Sequence, residues 1–161
     1  MATAQMKRRA ILVFVLNRSG VLNKISMLIR RKMYNVDTLT VCATQQPGIS
    51  RMTITLREDS DDRMLQVIKQ IEKITEVISA RELDIDQSFW REVAIVKFEA
   101  KGDLLEQLGQ NYSFEILDRQ NHEVFVAQVA GTSQLIDDFM KEIGEDKIIE
   151  VGRSGFTALE K

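Results

Sequence analysis

The sequence predicts an α+β chain made of two successive βαββαβ units, and three observations carry that prediction. Apolar residues recur at two-residue spacing in some short segments and at three- to four-residue spacing in others. Capping and turn residues stand at the joints between those segments. The order strand, helix, strand, strand, helix, strand then occurs twice, on either side of the polar stretch Asp84-Ile85-Asp86-Gln87-Ser88.

Composition bounds the function. The 161 residues, 44% hydrophobic and 29% charged, suffice for one ordinary domain or two small ones with buried cores. A net charge of −2 offers no bulk basic field for nucleic acid or an anionic membrane. No run approaches eighteen apolar residues, so no membrane span is expected. The one cysteine, Cys42, excludes an intrachain disulfide and fits a reducing, cytoplasmic location. Basic residues between Met1 and Arg9 precede a short apolar run, in outline like a secretory signal. That run leads into Asn17-Arg18-Ser19-Gly20 rather than a small-residue cleavage site, so no signal peptide is expected.

In the first unit, Ala10 to Leu16 is a continuous apolar run and reads as a central strand from about Arg9. Asn17 and Ser19 are helix-capping residue types, and Gly20 leaves the first turn without a side chain. The helix runs from about Gly20 to Met33, with Val21, Leu22, Ile25, Leu28 and Ile29 on one face. Arg30-Arg31-Lys32 falls in its last turn, where cations complement the dipole. Asn35 to Ala43 and Ile49 to Leu56 alternate about the turn Gln45-Gln46-Pro47-Gly48 and form a hairpin, with Cys42 as a small filler. Ser60 caps a second helix through Met64, Val67, Ile68, Ile71 and Ile74, and Val77 to Leu83 closes the unit. This order is the split βαβ, or ferredoxin-like, arrangement, with both helices on one face of a four-stranded antiparallel sheet.

The second unit repeats the plan. Glu92 to Ala100 is a strand with Ala94, Val96 and Phe98 on one face, and Val93, Ile95 and Lys97 on the other. Gly102 to Asn111 is a short helix carrying Leu104, Leu105 and Leu108. Ser113 to Asp118 and Val124 to Ala130 pair about the turn Arg119-Gln120-Asn121-His122. Thr132 or Ser133 caps a helix through Leu135, Ile136, Phe139, Met140 and Ile143, and Lys147 to Val151 ends the series. The repeat is one of architecture, not of residues.

The chemistry is that of a binder. His122, the one histidine, falls in a hairpin turn, so no histidine-based triad or multi-histidine metal site can be built. Neither Gly-x-x-x-x-Gly-Lys-Ser/Thr nor Gly-x-Gly-x-x-Gly occurs. Glu58-Asp59-Ser60-Asp61-Asp62 lacks the calcium-loop pattern and reads as a helix start. The central strands lack the stacking aromatics of RNA-recognition modules. What remains is Asn17 to Ile25, which is either a plain strand-to-helix turn or a helix start whose free N–H groups suit a small carboxylate. Gly20 and Asn35 would stand about 20 Å apart at roughly 1.5 Å per residue, too far to share one small ligand within a chain. Across a two-fold axis, one chain's Gly20 could face the other's Asn35.

Three N-terminal segments then carry a resemblance: Asn17-Arg18-Ser19-Gly20-Val21-Leu22, Tyr34-Asn35-Val36-Asp37-Thr38-Leu39-Thr40-Val41 and Ser50-Arg51-Met52-Thr53-Ile54. With Arg91-Glu92-Val93-Ala94-Ile95-Val96-Lys97, Gly131-Thr132-Ser133 and Ile149-Glu150-Val151-Gly152-Arg153-Ser154-Gly155, they resemble the small regulatory subunit of acetolactate synthase (acetohydroxyacid synthase). The resemblance implies an ACT domain over residues 8–84, a linker over 85–90 and the family's C-terminal domain over 91–161. It implies pairing of ACT domains into a homodimer that binds a branched-chain amino acid, usually valine, between them. Asn17, Gly20 and Val21 would come from one chain and Asn35 and Val36 from the other. Thiamine diphosphate, magnesium and FAD would belong to the catalytic large subunit, and this chain would bind none of them. It would activate that partner and confer feedback inhibition in valine, leucine and isoleucine biosynthesis. The alternative is a free-standing ACT-type sensor with another client. Two departures accompany the resemblance. Met33 stands where many members carry glycine two residues before the asparagine, and the segment 101–113 is shorter than in many relatives.

Overall fold

The computed structural model describes residues 7–161, so the basic leader noted from Met1 lies outside the described residues as far as Met6. The first six elements are β1 (Arg8–Leu16), α1 (Val21–Arg31), β2 (Val36–Ala43), β3 (Ile49–Arg57), α2 (Asp61–Glu72) and β4 (Val77–Glu82). They form an antiparallel sheet in the order β2-β3-β1-β4, which makes the apolar run of β1 an interior strand as its composition demands. Ile11, Val13 and Val15 of β1 meet Met52, Ile54 and Leu56 of β3 on one face. Val21, Ile25 and Ile29 of α1 and Met64, Val67 and Ile71 of α2 close that face into a buried core. Leu22, expected on the apolar face of α1, instead lies 42% exposed, one residue round from that stripe.

The remaining elements are β5 (Ser88–Glu99), α3 (Leu104–Asn111), β6 (Phe114–Gln120), β7 (Val124–Gly131), α4 (Ser133–Ile143), β8 (Ile148–Arg153) and β9 (Thr157–Glu160). The second sheet runs β6-β7-β5-β8, with β9 beside β5. Ala94, Val96 and Phe98 form its core with Leu108 of α3 and Ile136, Phe139 and Ile143 of α4. Both sheets therefore carry their helices on one face, the ferredoxin-like arrangement. The chain divides into two compact units: residues up to Phe89 together with Ala158–Lys161, and Trp90–Thr157. β5 begins at Ser88, within the stretch expected as linker, and β9 was not expected at all.

Local chemistry explains most boundaries. The Ser60 hydroxyl accepts from the Arg63 amide at 3.3 Å, and Thr132, rather than Ser133, caps α4 by accepting from Leu135 at 3.3 Å. Asn121 and His122 both take positive φ, 51° and 58°, within the three-residue turn 121–123 that joins the paired Gln120 and Val124. Among the described residues no helix is long and apolar enough to cross a membrane.

Candidate functional site

The loop between β1 and α1 is built differently from a side-chain-capped helix start. The cap position of α1 is Gly20 itself, at φ 86°, and no side chain bonds the first turn. The capping expected of Asn17 and Ser19 is thereby corrected. They lie three and one residues ahead of the cap, and the left-handed glycine makes the turn that a cap residue would otherwise make. The Asn17 amide donates to the Gly48 carbonyl at 2.8 Å, pinning the loop to the β2–β3 turn. Among the described residues, no acceptor is found for the amides of Ser19, Gly20, Leu22 and Asn23. A Cβ on Gly20 would meet nothing within 4 Å, so the space above this cluster of N–H groups is open. These donors, with the positive end of α1, suit a carboxylate. Val21 is buried beneath them, at 2% exposure, and contributes backbone there rather than a side-chain surface.

Asn35 lies at the other end of α1. The helix closes with paired bonds from the Met33 amide to the Arg30 carbonyl (2.9 Å) and from the Tyr34 amide to the Ile29 carbonyl (3.3 Å). That is the Schellman closure, with Met33 at φ 62° where glycine is usual. The departure from glycine thus leaves the left-handed turn intact. Tyr34 and Asn35 line a cleft of about 620 Å³ with Arg57, Glu58 and Arg63. Glu58 is buried at its edge, accepting from the Ser60 amide and the Tyr34 hydroxyl at 2.8 Å each. The Ser60 amide first, then the Tyr34 hydroxyl, holds its carboxyl below the usual glutamate range. Burial, then Glu58, pushes the Tyr34 phenol up. Arg57 is tied to Asp37 at 3.0 Å. Val36, half-buried, starts β2 and packs against the core.

The single chain therefore brings Asn17, Gly20 and Val21 together at one end of α1, and Asn35 and Val36 at the other. It does not bring the two groups to each other. The eleven residues of α1 separate them by about 16 Å at roughly 1.5 Å per residue. The sequence placed Glu58 only in a helix start and Tyr34 only at the close of α1; their pairing was not foreseen, nor was the burial of a second carboxylate, Glu92. Glu92 is 3% exposed and binds Arg153 through two guanidinium nitrogens and Ser133 at 2.7 Å, while Arg153 also reaches Asp137 at 2.5 Å. Period-two alternation could have flagged it, because Glu92 falls in step with Ala94, Val96 and Phe98 on the core face and so needs a cation.

Comparison with known proteins converges on these segments. Residues 11–79 match the family model described as the AHAS small subunit-like ACT domain, and residues 91–161 match the small subunit of acetolactate synthase. The acetolactate synthase isozyme 3 small subunit of Salmonella typhimurium is 34% identical over 159 residues, covering 96% of each chain. The chain belongs to the acetolactate synthase small-subunit family. A probable small subunit from Methanothermobacter thermautotrophicus is 32% identical over 150 residues, 90% of this chain and 88% of that one. The crystal structure of the Thermotoga maritima acetolactate synthase small subunit has the same fold, with a TM-score of 0.88, 24% identity and coverage of 97% and 98%. In this family the first βαββαβ unit is an ACT domain, the regulatory module, and the two motif-rich ends of α1 both fall inside the stretch matched to it.

Proposed function

We propose that this chain is the non-catalytic regulatory subunit of an acetolactate synthase. It activates a catalytic large subunit and makes it subject to feedback inhibition by a branched-chain amino acid, with valine the expected effector. Two copies pair through their ACT domains, and each of two equivalent sites takes Asn17, Gly20 and Val21 from one copy and Asn35 and Val36 from the other. The amides after Asn17 hold the effector carboxylate, the two asparagine amides bind its polar groups, and apolar neighbours receive its side chain. The observation that carries this reading is the open group of unpaired amides at Gly20, set at the far end of α1 from the Asn35 cleft. One chain alone leaves both half-sites unfinished.

Thermal unfolding with valine, leucine and isoleucine, against lysine as control, tests the site. At about a hundred times Kd, an effector that binds only the folded state adds roughly 2.7 kcal/mol per site. A valine shift lost in Asn35→Ala is the expected result; no shift with any of the three removes the effector assignment. Mixing with the large subunit tests the role. Synthase activity should rise and become valine-sensitive, and an unchanged activity refutes the regulatory reading.

A further inference from the structure

The last four residues belong to the first unit, although the chain reaches them from the second. Alternation fixes where they lie. Met52 of β3 and Ala80 of β4 point into the helix-covered core, so Arg51 and Arg81 project from the opposite face of the same sheet. Arg51 donates a guanidinium N–H to the Ala158 carbonyl. Arg81 holds the Glu160 carboxylate through two bonds, of 3.3 and 2.5 Å. Lys161 then donates its amide to the Gln87 carbonyl at 2.9 Å and its ammonium to the Asp86 carbonyl at 2.9 Å. That ammonium also sits 5.9 Å from the centre of the Phe89 ring. Ala158 is buried, at 1% exposure, while Leu159 beside it stands 64% exposed. Leu12, opposite Arg81 in register and thus on this face, is 3% exposed although it belongs to no helix-facing cluster.

The connectivity has a consequence. Residues 90–157 leave the first unit after Phe89 and return to it at Ala158, so the residues flanking them on both sides belong to that unit. The first sheet, which grips the tail through Arg51 and Arg81, also carries the Gly20 loop. The Asn17 amide bonds to Gly48, and β3 runs from there through Ile49, opposite Leu16, to Arg51, opposite Phe14. One strand thus connects the candidate effector loop to the anchor of the tail through contiguous hydrogen-bonded pairs.

We propose that Ala158–Lys161 is a tether that carries the effector state of the N-terminal sheet to residues 90–157, and so couples binding to inhibition. This rests on the regulatory reading above. The Arg81–Glu160 pair is the part to test, because its side chains are 50% and 41% exposed and its loss leaves the fold standing. The test uses full-length protein mixed with the large subunit: Arg81→Glu, Glu160→Arg, the double exchange, and a chain ending at Thr157. Two readouts are compared, the valine-induced thermal shift of the small subunit and the valine concentration that half-inhibits the mixed enzyme. In the single variants the half-inhibiting concentration should rise about fivefold or more, the lower end of ordinary allosteric couplings. The thermal shift and the activation without valine should persist, and the double exchange should restore sensitivity. Sensitivity within about twofold of the parent in both single variants and the truncation, well below that coupling range, overturns the tether. So does a double exchange that restores nothing. A parent protein that ignores valine altogether fails at the regulatory reading, and the tether falls with it.

Discussion

Met33 holds the left-handed turn after α1 with a side chain where the backbone favours none. An L residue there costs about 1–2 kcal/mol relative to glycine, partly offset because glycine loses more freedom on folding. Met33→Gly should therefore stabilise the protein by about 1 kcal/mol and raise Tm by roughly 2–4 °C, as measured by calorimetry. Gly20 is the opposite case. Alanine there meets no atom, so Gly20→Ala should cost only the backbone term, about 1 kcal/mol, while its methyl group enters the space above the free amides and weakens valine binding in a titration. Glu92 is held by Arg153, and Arg153→Ala would strand a buried carboxylate, a loss of about 3–5 kcal/mol measurable by denaturant unfolding. Glu58 predicts acid behaviour. Its carboxyl is held lower in the folded chain than in the unfolded one, so its contribution is complete above the usual glutamate range and fades as pH falls through the lower folded value. Glu58→Gln should flatten the stability–pH curve in that acid window.

At the scale of elements, period and punctuation were enough wherever one face of a segment is buried. β1, β3 and β7 announce themselves by apolar runs or alternation, and α2 and α4 by a capping residue and a three-to-four stripe. Ser60→Ala should cost about 1 kcal/mol of stability, the usual value of a lost cap, as read by chemical denaturation. The misses share a cause. Thr157–Glu160 is too short to show a period, and its partners, β5 and the side chains of Arg51 and Arg81, are all distant in sequence. The first residues of β5, Ser88-Phe89-Trp90, follow a polar stretch with no alternation to mark where a strand begins. α1 begins on a glycine, which no capping preference singles out from a plain turn. The candidate site was legible as residue types at two ends of a helix, and the distance between them pointed to a second copy. The buried pair Tyr34–Glu58 beside it was not legible, because it joins residues from different elements.

For the molecule as a whole, the two-copy site makes a prediction about mass. In solution the particle should weigh twice one chain, and the valine response should weaken on dilution below the dimer dissociation constant, as sedimentation and titration over a concentration series would reveal. Either a monomer that binds valine undiminished or a dimer indifferent to it contradicts the arrangement. The discontinuous first unit bears equally on how the protein is made. Domains usually fold as units and N-terminal ones first, during synthesis at about 5–20 residues per second. Here the four strands of the first sheet can pair early, but Arg51 and Arg81 lack Ala158 and Glu160 for the several seconds in which residues 90–157 are polymerised. Residues 158–161 reach the first unit only after the whole of 90–157 has been made, so a chain interrupted anywhere in that stretch carries the four paired strands of the first sheet without their late partners.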